Sequence, residues 1–367
     1  MLSTMATRAV WSAGFSATEA ESARKMLRIA SYFLVAVALF AALSLSACGA
    51  PARLPFLPQA ALPMLEPMHA VMPDGVLLPS QAWVPSGPVV AVVLGLHGFN
   101  EYSHSFTAVG PYLALHGILT YAYDQRGFGA TARPGIWAGT ERLVADVYEL
   151  TRLLKRRHPG IPLYLLGESM GGAVAMVALT RLGPPEVDGV VLVAPAVWGR
   201  RLWNPFMRAT LWVMANTFPG LTVTGRGLKV RPSDNDAMRA NLSRDPLVIK
   251  ATRFDAVAGL SDLMDEALAA VPRLRHPSLI LYGAHDQIIP RSCFERFVER
   301  QAAAHDWRLA WYPQGYHMLT RDLHASVVLE DIASWILNRA GALPSGHEWF
   351  PSKANRPPLK GAAPAMR

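Results

Sequence analysis

The chain has 367 residues, 51% of them hydrophobic, enough to bury a large core, and one α/β domain with an insertion accounts for this length without a second fold. Its formal charge of +8 is dispersed: residues 1–47 hold Arg8, Arg24, Lys25 and Arg28 against Glu19 and Glu21, and residues 341–367 hold Lys353, Arg356, Lys360 and Arg367 against Glu348. The body keeps little excess, so there is no basic stripe to grip nucleic-acid phosphates, and two cysteines, Cys48 and Cys293, support neither a disulfide framework nor a thiolate metal site.

At the start, Lys25, Met26, Leu27 and Arg28 introduce an apolar run from Ile29 to Leu45 that ends in small residues. A positive flank, an apolar centre and small residues before a cut site describe an export signal over residues 1–47, with Met26 as an alternative start. The ending Leu45, Ser46, Ala47, Cys48 resembles the lipobox of bacterial lipoproteins. That resemblance implies cleavage before Cys48, acylation of this cysteine, and an exported protein tethered to a membrane surface through its lipid. Gly49 stands where inner-membrane retention usually shows an aspartate, which leans the expectation towards the outer membrane. The competing reading is an uncleaved anchor, although the run falls short of the roughly 20 residues a span needs. Residues 48–67, rich in Pro and Ala, read as a tether with little structure of its own.

The body, residues 68–340, opens with two short extended runs, His69 to Met72 and Gln81 to Val84, around a turn at Pro73, Asp74 and Gly75. Val89 to Leu96 is a continuous apolar run, as expected of a strand covered on both faces, and it stops at His97, Gly98, Phe99 and Asn100. Ile118 to Tyr123 predicts the next strand, followed by a corner at Asp124 to Gly129 that lacks the dinucleotide fingerprint. Leu143, Val144, Val147, Leu150, Leu153 and Leu154 recur at helical spacing over residues 140–157, and Pro159 and Gly160 end that helix.

The organising stretch is 161–182. An apolar run from Ile161 to Leu166 feeds Gly167, Glu168, Ser169, Met170, Gly171 and Gly172, and a helical apolar stretch follows from Ala173. Glycines on both sides of a serine between strand and helix predict a nucleophile elbow, where Gly167 and Gly171 sit too close to neighbouring backbone for a Cβ. Val187 to Val193 gives another buried strand. Over about 198–260, Trp198, Trp203, Phe206, Met207, Leu211, Trp212, Val213 and Met214 interleave with Arg200, Arg201 and Arg208, which reads as a cap whose apolar underside covers the site and receives an acyl chain. Pro277 to Tyr282 delivers Gly283, Ala284, His285 and Asp286; Cys293 then falls in a helical pattern as a small buried hydrophobe, and Leu309 to Tyr312 delivers Gly315, Tyr316 and His317. Beyond about Gly341 the composition turns to Pro, Ala, Lys and Gly, and residues 341–367 read as a disordered tail.

The chain order is therefore serine, aspartate, histidine, each just beyond a strand, as in α/β-hydrolases. Serine is a poor nucleophile unless a base takes its proton, and an imidazole with an ordinary pKa of about 6.5 suits that work. His317 is the expected base and Asp286 the carboxylate that holds its ring; His285, His324, Asp262 and Asp265 are competing choices that do not sit directly beyond a strand in that order. The backbone amides of Phe99 and Met170 are the expected oxyanion donors, and His97 is expected to shape the turn rather than move protons. This chemistry calls for no metal or cofactor.

Leu-His-Gly-Phe, Gly-Glu-Ser-Met-Gly-Gly, Ser-Arg-Asp-Pro-Leu at 243–247, Tyr-Gly-Ala-His-Asp and Gly-Tyr-His-Met-Leu together resemble the monoacylglycerol lipase and lysophospholipase group of α/β-hydrolases, filed with serine aminopeptidases. The resemblance spans about residues 70–340. It implies an α/β fold with a mostly parallel sheet flanked by helices and an inserted helical cap, and cleavage of an acyl ester lipid through a serine acyl-enzyme. After the turn the chain reads Phe-Asn-Glu-Tyr-Ser where many relatives have Glu-His-Ser, so no side chain there is assigned to headgroup binding. Serine at position 169 argues against a dehalogenase or epoxide hydrolase, which would place aspartate there. A thioesterase, a broad carboxylesterase, an aminopeptidase, and a non-catalytic lipid-binding lipoprotein remain as alternatives. The sequence is silent on oligomeric state.

Overall fold

The fold was analysed in a computed structural model, which describes residues 51–52, 61–225, 230–301 and 306–349. The expected export signal, Cys48 and much of the tether lie outside the described residues. Among the described residues, no helix is long and apolar enough to cross a membrane.

The chain enters through β1 (Met64–Leu65), β2 (His69–Val71) and β3 (Leu77–Trp83), each antiparallel to the next. Strand β4 (Ala91–Leu96), helix α1 (Val109–Leu115), strand β5 (Ile118–Tyr123), helix α2 (Thr140–Arg157), strand β6 (Leu163–Glu168), helix α3 (Met170–Ala178) and strand β7 (Gly189–Val193) follow. The inserted segment contains α4 (Pro205–Thr217), a small ladder of β8 (Thr222–Thr224) with β9 (Ala251–Arg253), and α5 (Asp236–Arg244) between them. The body resumes with α6 (Phe254–Ala270), β10 (Ser278–Gly283), α7 (Arg291–Glu299), β11 (Trp307–Tyr312), α8 (Ala325–Leu337) and β12 (Glu348–Trp349).

One ten-stranded sheet runs in the order β1-β2-β3-β5-β4-β6-β7-β10-β11-β12, and its six central strands from β5 to β11 are mutually parallel. Every residue of β4, β6, β7 and β10 is buried, because helices cover both faces. Successive strand residues point to opposite faces: Val92 and Leu94 pack with α2, α3, α6 and α7, whereas Ala91 and Val93 pack with α1 and α8. Cys293 is buried in α7 as expected.

Three expectations are corrected. The tether was expected to run unstructured to residue 67, yet Met64 pairs with Val71 and Leu65 with Ala70, so the sheet begins inside it. The tail from Gly341 was expected to be disordered. Instead Leu343 is buried and Glu348 and Trp349 pair with Ala310 and Leu309 on the sheet edge. Arg308 Nε donates to Glu348 Oε1 at 2.6 Å, and Ser345 Oγ to the fully buried Asp331 Oδ2 at 2.6 Å. Two-residue strands have no periodicity to read, and β12 in addition pairs with a strand some forty residues back. Third, the cap was expected to reach about residue 260, but α6 begins at Phe254 and buries Leu263 and Ala267 in the main core, so the insertion closes at β9.

Candidate active site

Ser169 sits between β6 and α3 with φ 52° and ψ −113°, a backbone conformation that non-glycine residues rarely hold. The neighbours enforce it. A Cβ on Gly171 would lie 2.0 Å from the Leu96 carbonyl oxygen, and one on Gly167 would lie 2.6 Å from the Gly171 backbone, so only glycine fits at either place. Ser169 N donates to Val193 O, and its carbonyl accepts from Ala196 N, both at 2.9 Å, which pins the elbow to the end of β7. Helix α3 begins at Met170, and an amide in that first position has no acceptor within its own helix.

Asp286 lies in the loop after β10 and His317 in the loop after β11. Asp286 Oδ1 accepts from the amides of Ile288 at 2.7 Å and Ile289 at 2.9 Å, leaving Oδ2 to accept from His317 Nδ1 at 2.8 Å. The imidazole therefore carries its proton on Nδ1 and presents Nε2 as the free base. Burial disfavours the imidazolium, but Asp286, Glu168 and Glu101 outweigh it and raise the His317 pKa above its ordinary value. Among the described residues no hydrogen bond joins the Ser169 hydroxyl to His317. Such contacts are often long before substrate binds.

The loop after β4 approaches Ser169 from the other side. A Cβ on Gly98 would lie 3.6 Å from Ser169 Cβ and 3.2 Å from Glu101 Oε2, so this turn, which continues into Phe99, rests against the elbow. His97 is fully buried: its Nε2 accepts from Gln125 N at 2.9 Å, so its Nδ1 donates to Gly98 O at 2.8 Å. Burial lowers its pKa, and it serves as a neutral brace of the turn. The Phe99 ring packs edge-on against Phe128 and Trp137.

The competing residues are used elsewhere. Asp262 and Asp265 both pair with Arg200. His324 is exposed before α8, and the His285 ring stacks on Tyr316. Sequence reasoning missed a buried ion cluster: Arg321 Nη1 and Nη2 donate to Glu101 Oε1 and Oε2 at 2.6 and 2.9 Å, and Nη2 donates to Glu168 Oε1 at 2.6 Å. Burial pushes both carboxyls up; at Glu101 the two-pronged contact with Arg321 wins and the pKa falls, while at Glu168, with one bond, burial wins and it rises. No periodicity or motif links residues this distant in sequence.

The cap meets the site at its rim. Ile249 N donates to Asn100 O at 2.9 Å, Asn100 Nδ2 to Thr252 Oγ1 at 2.7 Å, and Tyr102 OH to Asp245 Oδ2 at 2.8 Å. On the histidine side, Met318 N donates to Pro232 O at 3.0 Å and Asn235 Nδ2 to Arg321 O at 3.1 Å. The expected inward-facing apolar underside is only partly present. Phe206 and Trp212 of α4 are 79% and 68% exposed, and only Leu211 and Ala215, four residues apart on one face of that helix, are buried. Those two line a cleft of about 2030 Å³ between α2, α4 and α6 that touches none of Ser169, Asp286 or His317.

The family profile described as "Serine aminopeptidase, S33" matches residues 87–324. The chain belongs to this family. Its curated relatives include the monoacylglycerol lipase of Mycolicibacterium smegmatis, 29% identical over 279 residues that cover 72% of this chain and 94% of the relative. Mouse monoglyceride lipase is 30% identical over 288 residues, covering 76% of this chain and 92% of the relative. The crystal structure of Paleococcus ferrophilus monoacylglycerol lipase superposes with a TM-score of 0.61 at 25% identity, covering 71% of this chain and 98% of that one. The yeast monoglyceride lipase, solved with a substrate analogue, shares the fold with a TM-score of 0.63 at 23% identity, covering 78% and 98%. The protein is thus a serine hydrolase of the carboxylic ester hydrolase kind, on an α/β-hydrolase fold.

Proposed function

We propose that this hydrolase cleaves the ester bond of a monoacylglycerol or lysophospholipid through an acyl-enzyme formed on Ser169. His317 Nε2 takes the hydroxyl proton as Ser169 attacks the ester carbonyl, then returns it to the leaving alcohol; a water, activated by the same nitrogen, releases the fatty acid. Asp286 holds the ring and stabilises the imidazolium. The amides of Phe99 and Met170 donate to the oxyanion, each such donor contributing about 3 to 4 kcal/mol in comparable enzymes. The observation that carries this reading is the 2.8 Å bond from His317 to a backbone-braced Asp286, on the sheet edge where the elbow strains Ser169. The monoglyceride lipase names of the relatives support the substrate class. An aminopeptidase would need a carboxylate free to receive the substrate amine, and both Glu101 and Glu168 are bonded to Arg321.

A fluorophosphonate probe tests the reading directly. It should label the wild type and not Ser169→Ala, and monoacylglycerol should be turned over by the former alone; an unlabelled, inactive wild type would leave a binding protein. The same proposal places the enzyme at a membrane, held by acylated Cys48, with exposed Phe206 and Trp212 and the neighbouring Arg201 and Arg208 facing lipid. Palmitate incorporation into wild type and Cys48→Ala expressed in a bacterium checks the anchor; equal labelling of the two would remove it.

A further inference from the structure

Arg321 reaches three separate parts of the machinery at once. It stands four residues after His317, in a turn anchored by its own amide to Met318 O at 2.8 Å and by its carbonyl to Asn235 of the cap. Its guanidinium grips Glu101, two residues after Phe99, through both oxygens, and with the same Nη2 grips Glu168, the residue before Ser169. All three side chains are at most 8% exposed. A planar fork with fixed donor directions can satisfy two carboxylates from one point, whereas an ammonium cannot hold that geometry. The Glu101 carboxylate and Ser169 Cβ both border the space a side chain on Gly98 would fill, at 3.2 and 3.6 Å, so the Gly98 turn lies between them.

We propose that Arg321 is a positioning residue for the reaction: through Glu101 and Glu168 it fixes the Phe99 amide and the Ser169 hydroxyl relative to each other and to the histidine loop. This rests on the serine mechanism proposed above. Reacting groups displaced by about 1 Å lose on the order of a hundredfold in rate, so a link that sets the spacing of nucleophile and oxyanion donor acts mainly on the transition state.

The test compares wild type, Arg321→Lys, Arg321→Met and Arg321→Met/Glu101→Gln on a soluble short-chain ester, with active sites counted by fluorophosphonate titration. Per titrated site, kcat should fall about a hundredfold in Arg321→Met and about tenfold in Arg321→Lys, with KM changing less than about threefold. Affinity for a boronic acid that mimics the tetrahedral state should fall in parallel. The double variant should be no slower than Arg321→Met, because both changes break one unit. A merely structural role would lower the melting temperature and the number of titratable sites but leave kcat per site intact. A folded variant with kcat per site within threefold of wild type, or additive losses in the double variant, overturns the proposal; if Arg321→Met does not fold, Arg321→Lys decides. A wild type that neither labels nor turns over would refute the serine mechanism itself, which is a different result.

Discussion

His317 and Asp286 face each other across a 2.8 Å hydrogen bond in which the carboxylate is held from behind by two backbone amides. The ring cannot turn without breaking that bond inside a buried site. Asp286→Asn keeps the shape but offers an amide that can hold the ring in the wrong tautomer, so kcat should fall about ten-thousandfold with little change in the melting curve. Steady-state kinetics beside a thermal melt checks this, and a loss under tenfold would shift the orienting role to another acid.

The carboxylates around His317 raise its pKa against the opposing effect of burial. In the proposed mechanism His317 must be neutral to accept a proton, so activity should appear as pH rises through this raised value. The acidic limb of kcat/KM should therefore have its midpoint above the ordinary histidine value of about 6.5. The same shift acts on stability with a definite sign. A group whose folded pKa exceeds its unfolded one stabilises the fold fully below about 6.5, and that contribution is lost as pH rises through the folded value. The stability difference between wild type and His317→Gln should therefore shrink on going from acid to mild alkali, as denaturant titrations at several pH values would show.

The elbow glycines should be intolerant of even one methyl group. In Gly171→Ala the new carbon would lie 2.0 Å from the Leu96 carbonyl oxygen, where the backbone of β4 must move. A loss of about 3 kcal/mol or more in unfolding free energy is expected, at the upper end for overpacking. Gly87→Ala, with nothing within 4 Å, should change stability by no more than about 0.5 kcal/mol. Urea titrations of the two side by side provide the contrast.

Leu343 is 4% exposed within the segment first expected to be a loose tail. Leu343→Ala should cost about 2 to 5 kcal/mol through lost burial and the cavity left behind. Deleting residues 341–367 should cost more, since it also uncovers the edge of β11 and leaves Asp331 without its Ser345 bonds. A truncated protein with an unchanged melting temperature would contradict this.

Much of this architecture is legible in the sequence alone. The strand 118–123 and the helix 140–157 were readable to the residue, because long periodic or fully apolar runs have one stable placement. The positions just beyond β6, β10 and β11 held Ser169, Asp286 and His317 where strand ends imply. What stayed hidden has no local signal. The strands at Met64 and Glu348 are two residues long, Arg321 meets its carboxylates 220 and 153 positions away, and composition says that α4 is apolar without saying which side chains face water.

The inserted segment is bonded at one side to Asn100 and Tyr102 and at the other to Met318 and Arg321. It therefore acts as a yoke over the two loops that flank Ser169. Any displacement of this segment would pull on both loops together, because the same short stretch of chain is bonded to each. Amide exchange at Ile249 and Met318, whose amides make these bonds, should accordingly change in step when a fluorophosphonate is bonded to Ser169.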